Sequence, residues 1–261
     1  MTEQGFYTLG LFQVMKFLLV LARVGGIFTA CPVFANVHVP PRVRVAMAVA
    51  MTIVFFPMVE GGIDRLEVLP FVFAVVREAC IGLTIGFVVA LVFSAIHVAG
   101  AYVDLVVGFG FANIVDPMVK ETNAVVGQFY NLLATLIFLC INGHHIVIRG
   151  LAESFAVLPL AHNDIAGLAA QGIMTAFAAI FGSALRIALP VVGATFLTDV
   201  SLGILARTVP QLNVFVVGFP AKLAVAFFVL LGALPLASKV IGGLFVGVER
   251  DILLVLKHLA T

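Results

Sequence analysis

The chain has 261 residues, of which 63% are hydrophobic and only 10% are charged. A soluble globular domain is about half apolar and about a quarter charged, so this composition indicates an integral membrane protein. The formal net charge of +1 leaves no basic surface to neutralise phosphates, which argues against a nucleic-acid partner. The three cysteines lie far apart in apolar surroundings, with neither metal-ligand spacing nor the pattern of a disulfide framework.

Long apolar runs predict an all-α, polytopic fold with about six long helices. Their expected bounds are 10–30, 44–59, 69–98, 125–141, 166–197 and 214–236. A shorter amphipathic stretch, 240–259, follows, and its charges suggest an aqueous surface or a partner. Run 69–98 would measure about 45 Å, against a hydrocarbon core of about 30 Å. Pro190 is expected to kink the fifth run.

The segment 104–117 is apolar but is not typical of a membrane helix. Two glycines alternate with two phenylalanines, two aspartates bracket the run and a proline ends it: Gly108, Gly110, Phe109, Phe111, Asp104, Asp116 and Pro117. Glycine and proline both disfavour helix, and irregular backbone survives at membrane depth only where protein or a water-filled passage surrounds it. The pattern predicts a loop or broken helix that lines a protected space, with the rings pointing into it.

Several ionisable residues lie within or beside the apolar runs. They are Lys16, Arg23, Arg77, Glu78, Arg186, Asp199 and Lys222. Each either extends to a headgroup or a local ion pair, or faces protein or water. The neighbours Arg77 and Glu78 point about 100° apart on a helix, so at least one is expected to pair elsewhere, in this chain or in another subunit. Gly82 and Gly86 permit close helix contact, again either within the chain or between subunits.

Signatures of catalysis are not found. His144 and His145 with Glu153 lack the spacing of a His-Glu-x-x-His site, and no nucleophile elbow or phosphate-binding glycine loop occurs. The sequence predicts no enzyme, no cofactor and no metal site. A secondary transporter stays open as an alternative, because such proteins use broken helices and intramembrane charges. An intramembrane enzyme also stays open, because catalytic groups assemble in space.

Five stretches resemble, in order, the family of the flagellar export-gate protein FliR and its injectisome counterpart. They are 40–44, 108–117, 142–144, 158–159 and 199–220. The last is the most specific, since it combines Leu202-Gly, Arg207, Pro210-Gln211, Asn213 and Gly218-Phe-Pro220. The resemblance covers the chain from about residue 20 to about residue 240.

The resemblance implies a core subunit of the bacterial flagellar type III protein export gate, located in the inner membrane at the flagellar basal body. Such a subunit assembles with FliP- and FliQ-type subunits into a helical channel for unfolded polypeptides, with helices held partly above the membrane plane. FlhB- and FlhA-type export proteins, the basal-body ring and rod, and membrane lipid are the other implied partners. The equivalent subunit of a virulence injectisome is the alternative within this family.

The resemblance also implies how the single subunit 1–261 is divided. Residues 1–165 would be a FliP-like part that carries loop 104–117 as a plug. Residues 166–236 would be a FliQ-like helical hairpin, and 237–261 an amphipathic tail.

Residue roles follow from the segment's chemistry together with the resemblance. The expected plug residues are Gly108, Phe109, Gly110, Phe111 and Ile114, where relatives carry a bulkier residue than Ile114. The expected plug anchors are Asp104, Asp116 and Pro117, held by basic residues or backbone amides of neighbouring subunits. The expected subunit contacts are Arg77, Glu78, Asp199, Arg207, Pro210, Gln211, Asn213 and Pro220, with 199–220 forming the turn of the hairpin.

Overall fold

A computed structural model describes residues 3–36, 39–59, 68–109, 124–161, 169–211 and 213–260. Within these ranges all regular secondary structure is helical, which confirms the predicted all-α class. The seven helices are α1 (Glu3–Ala30), α2 (Pro41–Phe55), α3 (Val68–Val107), α4 (Val125–Cys140), α5 (Gly143–Val157), α6 (Ala169–Thr208) and α7 (Val214–Ala260).

Among the described residues, four helical segments are long and apolar enough to cross a membrane. They are Gly10–Ala30, Val68–Val107, Ile180–Thr208 and Val216–Leu259. Helices α4 and α5 meet at an angle of 69° and provide a fifth crossing if the bent pair forms one broken span. These helix lengths agree with the composition, which predicts an integral membrane protein.

Helix α5 was not predicted. Its polar residues are His144, His145, Arg149 and Glu153. They leave no apolar run long enough to indicate a membrane helix. Its buried residues nevertheless recur with helical spacing: Gly143, Val147, Gly150, Leu151 and Ser154. The chain bends before α5 because Asn142 adopts the left-handed conformation, with φ 56°, and asparagine tolerates that conformation better than most residues.

Three predicted helix ends differ from the structure by nine residues or more. Helix α3 continues to Val107 and α6 continues to Thr208. Helix α7 includes both the run 214–236 and the stretch 240–259, so no break separates the tail from the last helix. Pro235 lies inside α7, and a membrane helix tolerates such a proline because neighbouring groups can satisfy the freed backbone.

The chain divides into two compact units. The first comprises Met1–Leu91, Asn142–Phe177 and Val246–Thr261. The second comprises Val92–Ile141 and Ala178–Phe245.

In the first unit, α3 lies against α1 at two glycines. A Cβ atom at Gly82 would overlap the main chain of Arg23, and one at Gly86 would lie 2.7 Å from the Cβ of Ala30. Small residues at this spacing let two helix backbones approach closely. Gly82 and Gly86 could have served close contact within the chain or between subunits, and the structure shows contact within the chain.

In the second unit, α3, α4 and α7 meet around three phenylalanines. The ring centroid of Phe93 lies 5.8 Å from that of Phe138 and 5.0 Å from that of Phe245, and the latter two rings are 5.2 Å apart. Near the C-terminal end of α3, a Cβ at Gly100 would lie 2.5 Å from the Cα of Gly127. The backbones of α3 and α4 are therefore very close where the segment 104–117 begins.

Candidate plug loop and its base

Helix α3 ends inside the predicted loop, so residues 104–107 are helical. Gly108 has φ +99°, a conformation that glycine adopts at little cost. Its N–H and that of Phe109 both donate to the main-chain oxygen of Asp104, at 3.0 Å. This arrangement is typical of a glycine that ends a helix. A side chain at Gly108 would also place its Cβ 3.2 Å from the ring of Phe219.

The carboxylate of Asp104 caps the beginning of α4. The N–H of Val126 lies 3.0 Å from both carboxylate oxygens, and the N–H of Gly127 lies 3.0 Å from Oδ2. The first N–H groups of a helix have no acceptor within it, and Ala124 at the N-cap position makes no side-chain hydrogen bond. Asp104 therefore supplies the missing acceptor from another helix, and its negative charge suits the positive end of the helix dipole.

Asp104 thus holds both ends of the intervening segment. Its main chain binds Gly108 and Phe109 before the segment, its side chain binds Val126 and Gly127 after it, and the residue is buried, with 5% of it exposed. The sequence predicted an anchor made of basic residues or backbone amides from neighbouring subunits. The structure gives Asp104 backbone amides, and they belong to the same chain.

Phe109 packs against α7. Its ring makes an edge-to-face contact with Phe227, with centroids 5.8 Å apart, and is half-buried. An apolar cavity of about 10 Å³ remains beside the two rings, about the space of one water molecule. The other predicted plug and anchor residues lie outside the described residues: Gly110, Phe111, Ile114, Asp116 and Pro117.

The turn of the hairpin is shorter than the predicted 199–220. Helices α6 and α7 are joined by 209–213, which contains the exposed Pro210 and Gln211. The main-chain oxygen of Asn213 accepts hydrogen bonds from the first turn of α7. Pro220 was expected to belong to the turn 199–220, but it lies inside α7. Proline is tolerated in a membrane helix where other groups satisfy the freed carbonyl.

Asp199 and Lys222 tie the two arms of the hairpin together. The Nζ of Lys222 lies 2.7 Å from Oδ2 of Asp199, and the aspartate side chain is 48% exposed. Arg207, in the last turn of α6, is also exposed. Asp199 therefore has a partner within this chain and still presents part of its carboxylate outwards.

A buried ion pair that the sequence did not pair up lies in the first unit. The Nε of Arg23 donates to Oε2 of Glu78 at 2.6 Å, and both side chains are fully buried. The guanidinium also donates to the carbonyl oxygens of Ser154 and Leu158, each at 2.9 Å, and lies 4.3 Å from the ring centroid of Phe155. The available signal was that Arg23 and Glu78 are both ionisable residues within apolar runs, but no short-range pattern joins them.

Glu78 is therefore enclosed by its own chain, although it was predicted as a subunit contact. Its Oε1 accepts a hydrogen bond from the N–H of Ala161 at 3.3 Å. The guanidinium of Arg77 lies 3.9 Å from the same oxygen, and its buried Nη2 has no hydrogen-bond partner among the described residues. Of the two neighbours, Glu78 has its hydrogen-bond partners within the chain, whereas the Nη2 of Arg77 has none among the described residues.

Across the described ranges, no cluster of three or more His, Cys, Asp or Glu side chains could hold a metal ion.

Residues 14–248 match the sequence profile of the family described as bacterial export proteins, family 1. The chain belongs to this export family. It is similar to flagellar biosynthetic protein FliR of Bacillus subtilis (strain 168), with 34% identity over 233 residues, covering 88% of this chain and 90% of that protein. It is also similar to FliR of Escherichia coli (strain K12), with 30% identity over 227 residues and 86% of each chain covered.

A more distant relative carries a different name. Surface presentation of antigens protein SpaR of Shigella sonnei is 25% identical over 213 residues, covering 81% of this chain and 82% of that protein. These matches confirm the resemblance to the FliR family. In this export-family chain, the matched region contains the loop base at Asp104, the buried Arg23–Glu78 pair and the turn of the hairpin.

Proposed function

We propose that this chain is the FliR-type subunit of a bacterial flagellar type III protein export apparatus, in the inner membrane at the flagellar basal body. Membership of the export family supports an export role, and the flagellar names of the relatives with 30% identity or more support the flagellar branch. The exported substrate in this proposal is an unfolded polypeptide, so the chain supports passage rather than a chemical reaction.

The proposal includes assembly with FliP- and FliQ-type subunits into a channel, next to FlhB- and FlhA-type proteins. Exposed apolar surface supports it. Only 33% of the apolar window in Ile180–Thr208 and 22% of that in Val216–Leu259 is buried inside the chain. The hairpin α6–α7 therefore leaves most of its apolar surface available to other subunits and to lipid.

Loop 104–117 is the plug of this channel in our proposal. The observation that carries it is the double attachment at Asp104, because a loop closed at its base by one buried residue can hold apolar side chains across a passage. Apolar side chains at a constriction exclude water and ions by dewetting. Phe109 would hold the base of the loop against α7, while Phe111 and Ile114 seal the passage. Gly108 and Gly110 would supply the flexibility that moves the seal aside.

A leak assay in resting cells tests the plug. Replacement of residues 108–114 by serine and glycine is expected to raise the leak of small ions while the complex still assembles. Phe73→Ser is the matched control, because Phe73 is an exposed phenylalanine at the start of α3, and it should leave the leak unchanged. Normal assembly together with an unchanged leak in the loop variant would remove the plug role without affecting family membership.

The similarity to SpaR supports an injectisome subunit as the second candidate. Complementation separates the two. Expression in a motile bacterium that lacks its own FliR is expected to restore flagellar export and swimming. Restored secretion through an injectisome, without restored swimming, would favour the second candidate instead.

A further inference from the structure

Two cationic side chains of the hairpin have no partner in the part of the chain that the structure describes. Arg186 on α6 and Lys239 on α7 are both exposed, and neither occurs among the ion pairs or side-chain hydrogen bonds of the described residues. Lys222, on the same hairpin, differs from them because it pairs with Asp199.

Both cations lie deep inside apolar segments. Arg186 is the only charged residue between positions 169 and 198, and 13 positions separate it from Asp199, about 20 Å along a helix. Lys239 precedes Glu249 by 10 positions, about 15 Å. Neither side chain can therefore reach the ends of its apolar segment by extending along the helix.

Both cations also point away from the core of their unit. The buried residues of the two helices recur at three- and four-residue intervals: Ile180, Ala184, Ile187, Ala188, Val191 and Thr195 on α6, and Ala233, Ala237, Ile241 and Phe245 on α7. Arg186 lies two positions from Ala184 and from Ala188, and Lys239 lies midway between Ala237 and Ile241. Two positions correspond to about 200° around a helix, so each cation occupies the outer face.

The two cations lie at a similar level along the hairpin. The short connection 209–213 and the Asp199–Lys222 pair set the two helices side by side, running in opposite directions. Arg186 is about 20 Å from that pair along α6, and Lys239 is about 25 Å from it along α7, at 1.5 Å per residue. The two positive charges therefore lie at a similar level along the hairpin, each on the outer face of its own helix.

The backbone beside Arg186 is open to close approach. Gly182 and Gly193 are exposed, and a Cβ built at either glycine would meet no other atom within 4 Å. Exposed apolar side chains also lie between the two glycines, including Leu185 and Leu189. Small residues that interrupt an apolar stripe let another helix pack closely against it.

We infer that this cationic face, formed by Gly182, Arg186, Leu189, Gly193 and Lys239, binds a helix of another protein subunit through carboxylate side chains of that helix. A charge that faces hydrocarbon is costly, so it faces protein or water instead. A carboxylate satisfies guanidinium and ammonium groups with charge-assisted hydrogen bonds. Lipid phosphates lie at the membrane surface, whereas these cations lie far from the ends of their apolar segments. The inference rests on the proposed function in one respect, because the partner is another component of the export apparatus.

Charge reversal in the full chain, purified from its own membrane with its complex, tests the inference. Arg186→Glu combined with Lys239→Glu is expected to reduce the recovery of the assembled complex at least tenfold. Arg186→Lys, which keeps the charge, should retain most of it. Arg250→Glu is the control, because that arginine is 83% exposed beside Asp251, outside the cationic face, and recovery should stay within twofold of the unmodified chain.

Photo-crosslinking gives a readout that leaves both cations in place. A photoreactive side chain at Leu189 is expected to crosslink to a different protein subunit of the complex. Crosslinks to lipid only, or to a second copy of this chain, would overturn the inference, as would full assembly of the charge-reversed chain. This crosslink also decides the case in which the charge-reversed chain fails to accumulate. If the unmodified chain purified without any other export subunit, the proposed function would fail first.

Discussion

Replacement of Asp104 by alanine should loosen the base of the loop. The carboxylate is the acceptor for the N–H groups of Val126 and Gly127, at 3.0 Å. Alanine leaves both groups without an acceptor at a buried site. The first turn of α4 and the preceding loop are therefore expected to open more often, while the rest of the helix stays intact.

The expected magnitude follows from the lost hydrogen bonds. Loss of a helix cap costs about 0.5–2 kcal/mol, and a hydrogen bond to a charged acceptor contributes about 1.5–3 kcal/mol. With two N–H groups affected, we expect local opening to become easier by about 2–4 kcal/mol. At about 1.4 kcal/mol per factor of ten, opening becomes about 30 to 700 times more frequent.

Hydrogen exchange of the purified complex measures this opening. The backbone amides of residues 126 and 127 should exchange faster in Asp104→Ala by about that factor, because exchange reports local opening. Asp104→Asn keeps one carbonyl acceptor and should show a smaller increase. The peptide 131–138 serves as the internal control. Equal protection of residues 126 and 127 in both variants and in the unmodified chain would refute the capping role.

Three further variants or modifications test the packing of the first unit. Glu78→Ala leaves the buried guanidinium of Arg23 without its carboxylate, and we expect a loss of about 3–5 kcal/mol, seen as a lower unfolding temperature. Gly82→Val should cost about 3 kcal/mol through overpacking against α1, whereas Gly243→Val, with no atom within 4 Å of the added Cβ, should change the unfolding temperature little. Burial raises the pKa of the Cys31 thiol to about 11, so at pH 7 about one thiol in 10⁴ is the reactive thiolate. Maleimide followed by mass spectrometry should therefore leave Cys31 unmodified until the chain is denatured; rapid modification of Cys31 in the native chain would contradict its burial.

The class of fold and the long helices were predictable, because apolar composition and run length depend on the sequence alone. Local chemistry also predicted a break near Gly108, but not that α3 would continue to Val107 before it. Helix α5 was missed because His144 and Arg149 lower the apolarity of a segment that is helical by spacing. The amphipathic tail was separated from α7 for a similar reason, since its charges change the composition without ending the helix.

The partners of the site residues could not be predicted in the same way. Asp104 binds backbone amides 22 and 23 positions later, and Arg23 binds a carboxylate 55 positions away. Neither distance corresponds to a helical or strand period, so only the packing of α3 on α4 and of α1 on α3 brings these groups together. The sequence could identify which ionisable residues needed a partner, and the fold was required to find it.

The central claim is that this chain acts as one subunit of a larger export complex. Native mass measurement of the tagged full chain, released from its own membrane, tests that claim most directly. We expect one large complex that contains several different export subunits in unequal numbers, with the tagged chain as the minor component. Recovery of the chain alone, or only with copies of itself, would contradict the claim.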